Sequence, residues 1–452
     1  MIGVKLAIFL LFICLISSHA FAVENGLAMT LDQAEKMSLD TSYQLKATAS
    51  AISAADEVAS AQYTGLLPRL TLDGMFQYNT HVPTVQLPIP GVPAIQFGSN
   101  YIYSFGPTIS YMLWDSGSAR DSFKGYGLLA QSRREDQKSA SLSTLLSLRI
   151  SYLRLQLSLE ELHLLASSLQ LSQAQNHDIE TNFRAGAATK LDLVDSGRDV
   201  INYRLQFEQK QSEVSSNLTD LLALVQAPEP RDFKAPGPPG VTGVSFPIQL
   251  DSLEQDLAAT SAWQAKVPTD QQPMLKSQIL AAESSRRLAD SQRSGLYPTL
   301  KISASALIEY PDQLNLNQVE QNIFLAVVSM PLYEGGRTQH LTESLRQQAQ
   351  VAQFNEQNTR INLMRDYQKC ADLLASLRSQ QKLAELDVQR SEEAARLYYQ
   401  SYKGGKLNLI DVQTANNKSL VSKVNHARIN AQILTQIYTL RSISGEEPNH
   451  GI

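Results

Sequence analysis

The sequence predicts a mainly α protein with a small β part, in which long coiled-coil helices and strand hairpins each occur twice. Three observations predict it. First, the chain nearly repeats itself. Gly-Leu-Leu-Pro-Arg at 65–69 returns as Gly-Leu-Tyr-Pro-Thr at 295–299. Leu-Trp-Asp-Ser-Gly at 113–117 returns as Leu-Tyr-Glu-Gly-Gly at 332–336. Phe-Arg-Ala-Gly-Ala-Ala-Thr-Lys-Leu-Asp at 183–192 returns as Tyr-Lys-Gly-Gly-Lys-Leu-Asn-Leu-Ile-Asp at 402–411. A unit this long is a duplicated half-protein, not a short solenoid repeat. Second, two long stretches free of proline carry heptad spacing. Third, the period changes to two in four short segments.

The elements follow in order. Residues 1–22 read as a secretory signal: Lys5, an apolar run from Leu6 to Ile16, and a small-residue cleavage site at Ala20-Phe21-Ala22. Phe12 and Ile13 before Cys14 lack the small residues of a lipoprotein signal. Without this segment one cysteine remains, Cys370, so no intrachain disulfide can form. The net charge of −5 argues against a nucleic-acid partner. No other apolar run is long enough for a membrane-spanning helix, so a membrane role has to use strands.

The first repeat, 23–226, starts with a helix over 31–66 and a strand hairpin over 69–114. A long helix over 118–183 follows. Its seam is Leu145, Leu148, Tyr152, Leu155, Leu159, Leu162, Ala166 and Leu169, in alternating steps of three and four. A second stripe, Leu146, Ile150, Leu153, Leu157, Leu164 and Leu171, predicts neighbours on two sides. A helix over 190–226 completes the repeat. Residues 227–272 form a connector, Pro- and Gly-rich over 227–243, with a short helix over 251–265. The second repeat, 273–444, has helices over 273–296, 337–402 and 407–443 and a hairpin over 299–333. Its long-helix seam is Leu363, Tyr367, Cys370, Leu374, Leu377, Ala384, Val388, Ser391, Ala395, Tyr398 and Tyr402, interrupted by Gln381. A tail, 445–452, ends the chain. At 1.5 Å per residue each long helix spans roughly 100 Å.

The strands alternate. Leu70, Leu72, Gly74, Phe76 and Tyr78 oppose Thr71, Asp73, Met75 and Gln77. Tyr101, Tyr103, Phe105, Pro107, Ile109, Tyr111 and Leu113 oppose Ser104, Gly106, Thr108 and Ser110. Ile302, Ala304, Ala306, Ile308 and Tyr310 oppose Lys301, Ser303, Ser305 and Glu309. The fourth strand, 323–332, is apolar on both sides and leaves its orientation open. Such lengths suit tilted bilayer-spanning strands, with tyrosines as an interfacial girdle. The other reading is an ordinary sheet packed on a core. Four strands cannot close a barrel and open edges cannot face lipid, so membrane strands require several chains in one barrel. The loop 81–100, with Pro83, Pro88, Pro90 and Pro93, holds the extra residues of the first repeat and reads as an exposed loop.

These landmarks carry a resemblance. Leu31-Asp32-Gln33-Ala34, Leu66-Leu67-Pro68, Tyr297-Pro298-Thr299-Leu300, Pro331-Leu332-Tyr333-Glu334-Gly335-Gly336-Arg337, Phe183-Arg184-Ala185-Gly186 and Tyr402-Lys403-Gly404-Gly405 make the chain resemble the TolC-type outer membrane factor family, over nearly its whole length. The resemblance implies a homotrimer in the outer membrane. Three chains would share one β-barrel and continue as a hollow α-helical barrel through the periplasm. It implies a passive conduit of a tripartite efflux or type I secretion system. The partners would be outer membrane lipid, a periplasmic adaptor and an inner-membrane transporter. The alternative is a periplasmic coiled-coil adaptor or scaffold, which leaves the two hairpins unexplained.

The resemblance places the functional residues at the two helical turns. Gly186 and Gly405, with Gly404, would form the periplasmic tip; plain helix–helix turns are the other reading. Asp411 would ring the entrance and favour cations if it faces the lumen; otherwise it is a solvated carboxylate. Asp192 matches Asp411, whereas Asp195 is matched by Thr414. Tyr402 and Asp192 are expected to hydrogen-bond across neighbouring coils and hold the tip shut. Arg184, Lys403 and Lys406 are expected either to meet the adaptor or to be solvated ends. Cys370 is expected as a small buried hydrophobe. His81, His163, His177, His340, His426 and His450 lack metal-ligand spacing, and no P-loop or nucleophile motif is present, so neither cofactor nor catalysis is expected.

Overall fold

The computed structural model describes residues 27–85, 91, 95–96, 98–227, 248–313 and 315–446. The expected signal segment, most of the connector 227–243, the prolines Pro88, Pro90 and Pro93, and His450 lie outside the described residues.

Caps and breaks in the sequence set the helix limits. Helix α1 (Leu31–Thr41) starts at Thr30, whose side chain and that of Gln33 form a capping box. The helix expected over 31–66 is divided: α1 ends at Ser42, α2 covers Tyr43–Tyr63, and a 3-10 turn covers Thr64–Leu66. Neither glycine nor proline causes the break. Two hydroxyls tie the last turn of the first helix to the end of another, while Thr41 Oγ1 also keeps its bond to the Met37 carbonyl at 2.8 Å. Ser38 Oγ donates to the Leu224 carbonyl at 3.3 Å and Thr41 Oγ1 to that of Val225 at 3.0 Å. Helix α3 (Ser118–Arg184) has 67 residues, and α4 (Lys190–Val225) has 36. Helix α5 (Leu253–Thr260) is shorter than expected, and α6 (Pro273–Ser294) opens on a proline at its first turn. Helices α7 (Arg337–Lys403) and α8 (Leu409–Ser444) again have 67 and 36 residues.

The chain forms two compact units, and both draw on both repeats. One comprises Met1–Ser42, Thr144–Ala265 and Cys370–Leu440. Here Leu148, Tyr152, Leu155, Leu162 and Leu169 of the α3 seam are buried against Tyr203, Phe207, Val214, Leu218 and Leu221 of α4. Arg149 Nε donates to Glu35 Oε1 at 2.6 Å, almost fully buried, and the guanidinium lies 5.0 Å over the Tyr438 ring. Strand β1 (Leu27–Ala28) pairs in parallel with β6 (Ile248–Gln249). Beside it the Tyr152 hydroxyl donates to the Met29 carbonyl at 2.9 Å, and burial raises its pKa. The α7 seam is emptier: Leu374, Leu377 and Ala384 are buried, Cys370 is half-buried, and Tyr398 is exposed.

The other unit comprises Tyr43–Ser143, Lys266–Lys369 and Arg441–Ile452. It holds a four-stranded antiparallel sheet in the order β2 (Arg69–Tyr78), β5 (Tyr101–Trp114), β7 (Thr299–Tyr310), β8 (Val319–Ser329). A small pair, β3 (Thr84–Val85) and β4 (Ile95–Gln96), sits within the first hairpin loop and escaped the sequence reading. Strand β8 starts earlier than expected and stops before Pro331, which has no N–H to continue a ladder. The register settles the orientation of β8. Leu70, Ile109, Ala304 and Phe324 form one row. Thr71, Thr108, Ser305 and Ile323 form a row on the opposite face. Phe324, Ala326 and Val328 therefore continue the apolar face. Gly106 is required: a Cβ there would lie 2.0 Å from the Ala306 carbonyl oxygen.

Candidate functional site

The sheet has two free edges, β2 and β8, and an apolar face turned to solvent within one chain. Leu70, Leu72, Phe76, Phe105, Ile109 and Phe324 are all exposed. Aromatic rings gather at the loop end. Tyr78 and Tyr101 lie 5.1 Å apart, and Tyr103 stacks on Tyr310 at 5.2 Å. Tyr111, Trp114, Tyr297 and Tyr333 mark the helix end. An apolar band between aromatic rows is the pattern of a lipid-facing barrel wall. The opposite face is more polar over β2, β5 and β7, where Thr71 Oγ1 donates to Asp73 and Thr108 Oγ1 to Ser305 Oγ, and apolar along Ile323, Leu325 and Val327 of β8. Among the described residues no helix is long and apolar enough to cross a membrane, and no group of three or more His, Cys, Asp or Glu could hold a metal.

At the helical turns the two repeats build one device twice. Gly186 and Gly405 take φ +77° and +71°, the left-handed conformation that releases a helix end. Ala187 N–H donates to the Asn182 carbonyl at 2.8 Å, and Lys406 N–H to that of Ser401 at 3.0 Å. The next helix then starts on a cap. Asp192 accepts from Thr189 N–H at 3.0 Å and Thr189 Oγ1 at 2.7 Å. Asp411 accepts from Asn408 N–H at 3.3 Å. The matched aspartates thus share a local task, neutralising the first turns of α4 and α8. Gly404 lies in the turn without a positive φ.

A cross-link between helices lies one turn before these turns. Tyr399 Oη donates to Asp178 Oδ2 at 2.7 Å, and Lys403 Nζ lies 3.1 Å from the same oxygen. Lys403 also sits 4.7 Å over the Tyr399 ring. The Tyr399 and Lys403 hydrogen bonds hold the Asp178 carboxyl below its ordinary value. Tyr402 makes no hydrogen bond to Asp192 among the described residues, although burial and then the Asp192 charge raise its hydroxyl; Asp192 Oδ2 accepts from Thr189. Asp195 adds its charge to the burial that raises Asp199. Arg184 pairs with Glu180 at 2.6 Å, and Lys406 is exposed. Asn416 donates to Gln175 at 3.0 Å, again joining the two helical pairs. Below these ties a cavity of about 500 Å³ opens between α3, α4, α7 and α8, lined by Asp199, Tyr203, Glu392, Arg396 and Lys423. Sequence reasoning missed the Asp178–Tyr399–Lys403 tie because nothing local links residues 221 positions apart.

The sequence matches the family described as outer membrane efflux protein over residues 36–225 and 269–446. The chain belongs to that family. It is an outer membrane efflux channel, and its family consists of channel proteins, not enzymes. No curated protein matches it. Solved structures share its fold. The outer membrane protein VceC from Vibrio cholerae has a TM-score of 0.74 at 15% identity, covering 92% of this chain and 96% of that one. The Campylobacter jejuni CmeC outer membrane channel has 0.72 at 16%, covering 93% and 87%. A membrane protein from Pseudomonas aeruginosa has 0.72 at 17%, covering 91% and 93%. The fold class expected from the sequence, mainly helical with four membrane strands, is the one these channels share.

Proposed function

We propose that three copies of this chain form one conduit, each supplying four strands to a shared β-barrel and its long helices to a periplasmic tube. The observation that carries the reading is the four-stranded sheet with two open edges in an outer membrane efflux protein. In lipid each unpaired edge N–H and C=O costs several kcal/mol, so the edges must meet other copies. The turns at Gly186 and Gly405 form the tip, closed by helix-to-helix ties, of which Asp178–Tyr399–Lys403 is the best made. Asp411 from three copies borders the entrance. A periplasmic adaptor docks at the tip, where Arg184, Lys403 and Lys406 are exposed, and an inner-membrane transporter supplies the cargo. Fractionation with a native mass measurement tests this reading. The expected result is an outer-membrane particle of three chains. A soluble periplasmic monomer would support the scaffold reading instead.

A further inference from the structure

The cavity of about 500 Å³ between α3, α4, α7 and α8 has polar walls that the chain leaves unsatisfied. Ser172, Tyr203 and Ser419 line it, and each is at least nine-tenths buried. None of their hydroxyls has a hydrogen-bond partner among the described residues. A buried hydroxyl without a partner is unfavourable, so the space favours an occupant that donates and accepts. Its volume falls in the ordinary range for small-molecule sites.

Four charged side chains border the same space. Two are paired: Lys423 Nζ lies 2.5 Å from Glu392 Oε1. The other two are not. Asp199 on α4 has neither hydrogen bond nor ion pair among the described residues; burial raises its carboxyl, and the Arg198 charge acts on it only through space. Arg396 on α7 has no ion pair among the described residues either. The heights of these groups follow from the two turns. Gln175 lies 11 residues before Gly186 and Asn416 lies 11 beyond Gly405, and they share a hydrogen bond at 3.0 Å, so the turns stand level. Asp199 is 13 residues from Gly186, and Arg396 is nine from Gly405. At 1.5 Å per residue their backbones differ by about 6 Å along the helices, with Arg396 nearer the turns. Ser172 and Ser419 stand 14 residues from the same glycines, level with Asp199. Tyr203 is one turn along α4 from Asp199, close enough to feel its charge. Leu171 and Ala395 add apolar surface to the wall.

We infer that this cavity binds a small zwitterion, its ammonium on Asp199, its carboxylate on Arg396 and a short methylene chain between them. The two unpaired charges are opposite and set apart. A ligand carrying both charges satisfies both groups, whereas an ion with one charge leaves the other group alone. The hydroxyls of Ser172, Ser419 and Tyr203 supply acceptors for the remaining ammonium protons. The site is made within one chain and goes beyond the conduit reading without depending on it. Since α4 belongs to the first repeat and α7 to the second, the ligand joins the repeats, as the Asp178–Tyr399 tie does.

Equilibrium dialysis of the purified full chain against isotopically labelled probes tests this, with detergent blanks subtracted. The probes are 6-aminohexanoate, hexylammonium and hexanoate. 6-Aminohexanoate should bind saturably and about tenfold or more tightly than either singly charged probe. Asp199→Asn and Arg396→Gln should each bring its affinity down to the level of those probes. Lys418→Gln, on an exposed part of α8 outside the cavity, should leave it unchanged. Equal binding of hexylammonium or hexanoate, or no saturable binding of 6-aminohexanoate, would overturn the zwitterion site. Undiminished binding in Asp199→Asn would overturn its location. The three-probe comparison uses the native chain alone, so it decides even where a variant fails to assemble. A native mass other than three chains, with 6-aminohexanoate still bound, would overturn the assembly and support this site.

Discussion

Helices α3 and α7 have the same length, the same position in their repeats and the same terminal turn, yet they live in different surroundings. Along α3 the leucine seam is almost wholly buried within one chain. Along α7, Phe354, Ile361, Leu383 and Leu386 are exposed. Part of the difference lies in composition, since α3 is the richer in leucine. Neighbours differ too: α3 packs on α4 and, through Ser118, Gly125 and Ser132, on α6 within the chain. In the proposed three-chain conduit this open face of α7 is where another copy packs.

Breaking α3's private support should have the largest effect. Glu35→Ala strands Arg149 in a buried site and should cost about 3–5 kcal/mol in denaturant unfolding. The α7 counterpart of Arg149 is Gln368, so the second repeat has no matching ion pair of this kind. Next comes the strand contact shared by both repeats. Gly106→Ala should cost about 1–3 kcal/mol or abolish the sheet, seen as loss of oligomer from outer membranes. Gly74→Ala in β2 meets only the Phe105 ring, at 3.3 Å, and should be mild. Third, Thr189→Ala removes the α4 cap and should cost about 1 kcal/mol, read as faster amide exchange over the first turn of α4.

The smallest effect on stability, though not on passage, concerns the tie between α3 and α7. Tyr399→Phe should raise single-channel conductance more than Tyr402→Phe does, because the Tyr399 hydroxyl holds the link. The same tie gives a pH dependence. The folded Asp178 carboxyl titrates below its ordinary value of 3.8, held down by Tyr399 and Lys403. Its stabilisation is present above that value and is lost as pH falls through the lower, folded one. Conductance should therefore rise in strong acid in the native chain, and much less in Asp178→Asn.

The long helices, the hairpins and the turns were legible in sequence because each is written locally. Heptads, alternation and glycine at a helix end need only neighbouring residues. The break at Ser42 was not legible, since the α4 carbonyls that Ser38 and Thr41 meet beside it lie far along the chain. Nor was the orientation of β8, apolar on both sides, which only pairing with β7 decides. At the tip, sequence pointed to Asp192 and Asp411 through their repeat; their geometry gives each a capping role that an acid three residues into a helix can announce. The tie through Asp178 was invisible because its partners meet only after both long helices have formed.

Purified protein in planar bilayers tests the central claim most directly. The account predicts discrete unitary conductance steps from the outer-membrane oligomer, small in the native chain and larger in Tyr399→Phe with Asp178→Asn. A bilayer that stays sealed with both proteins inserted would contradict it.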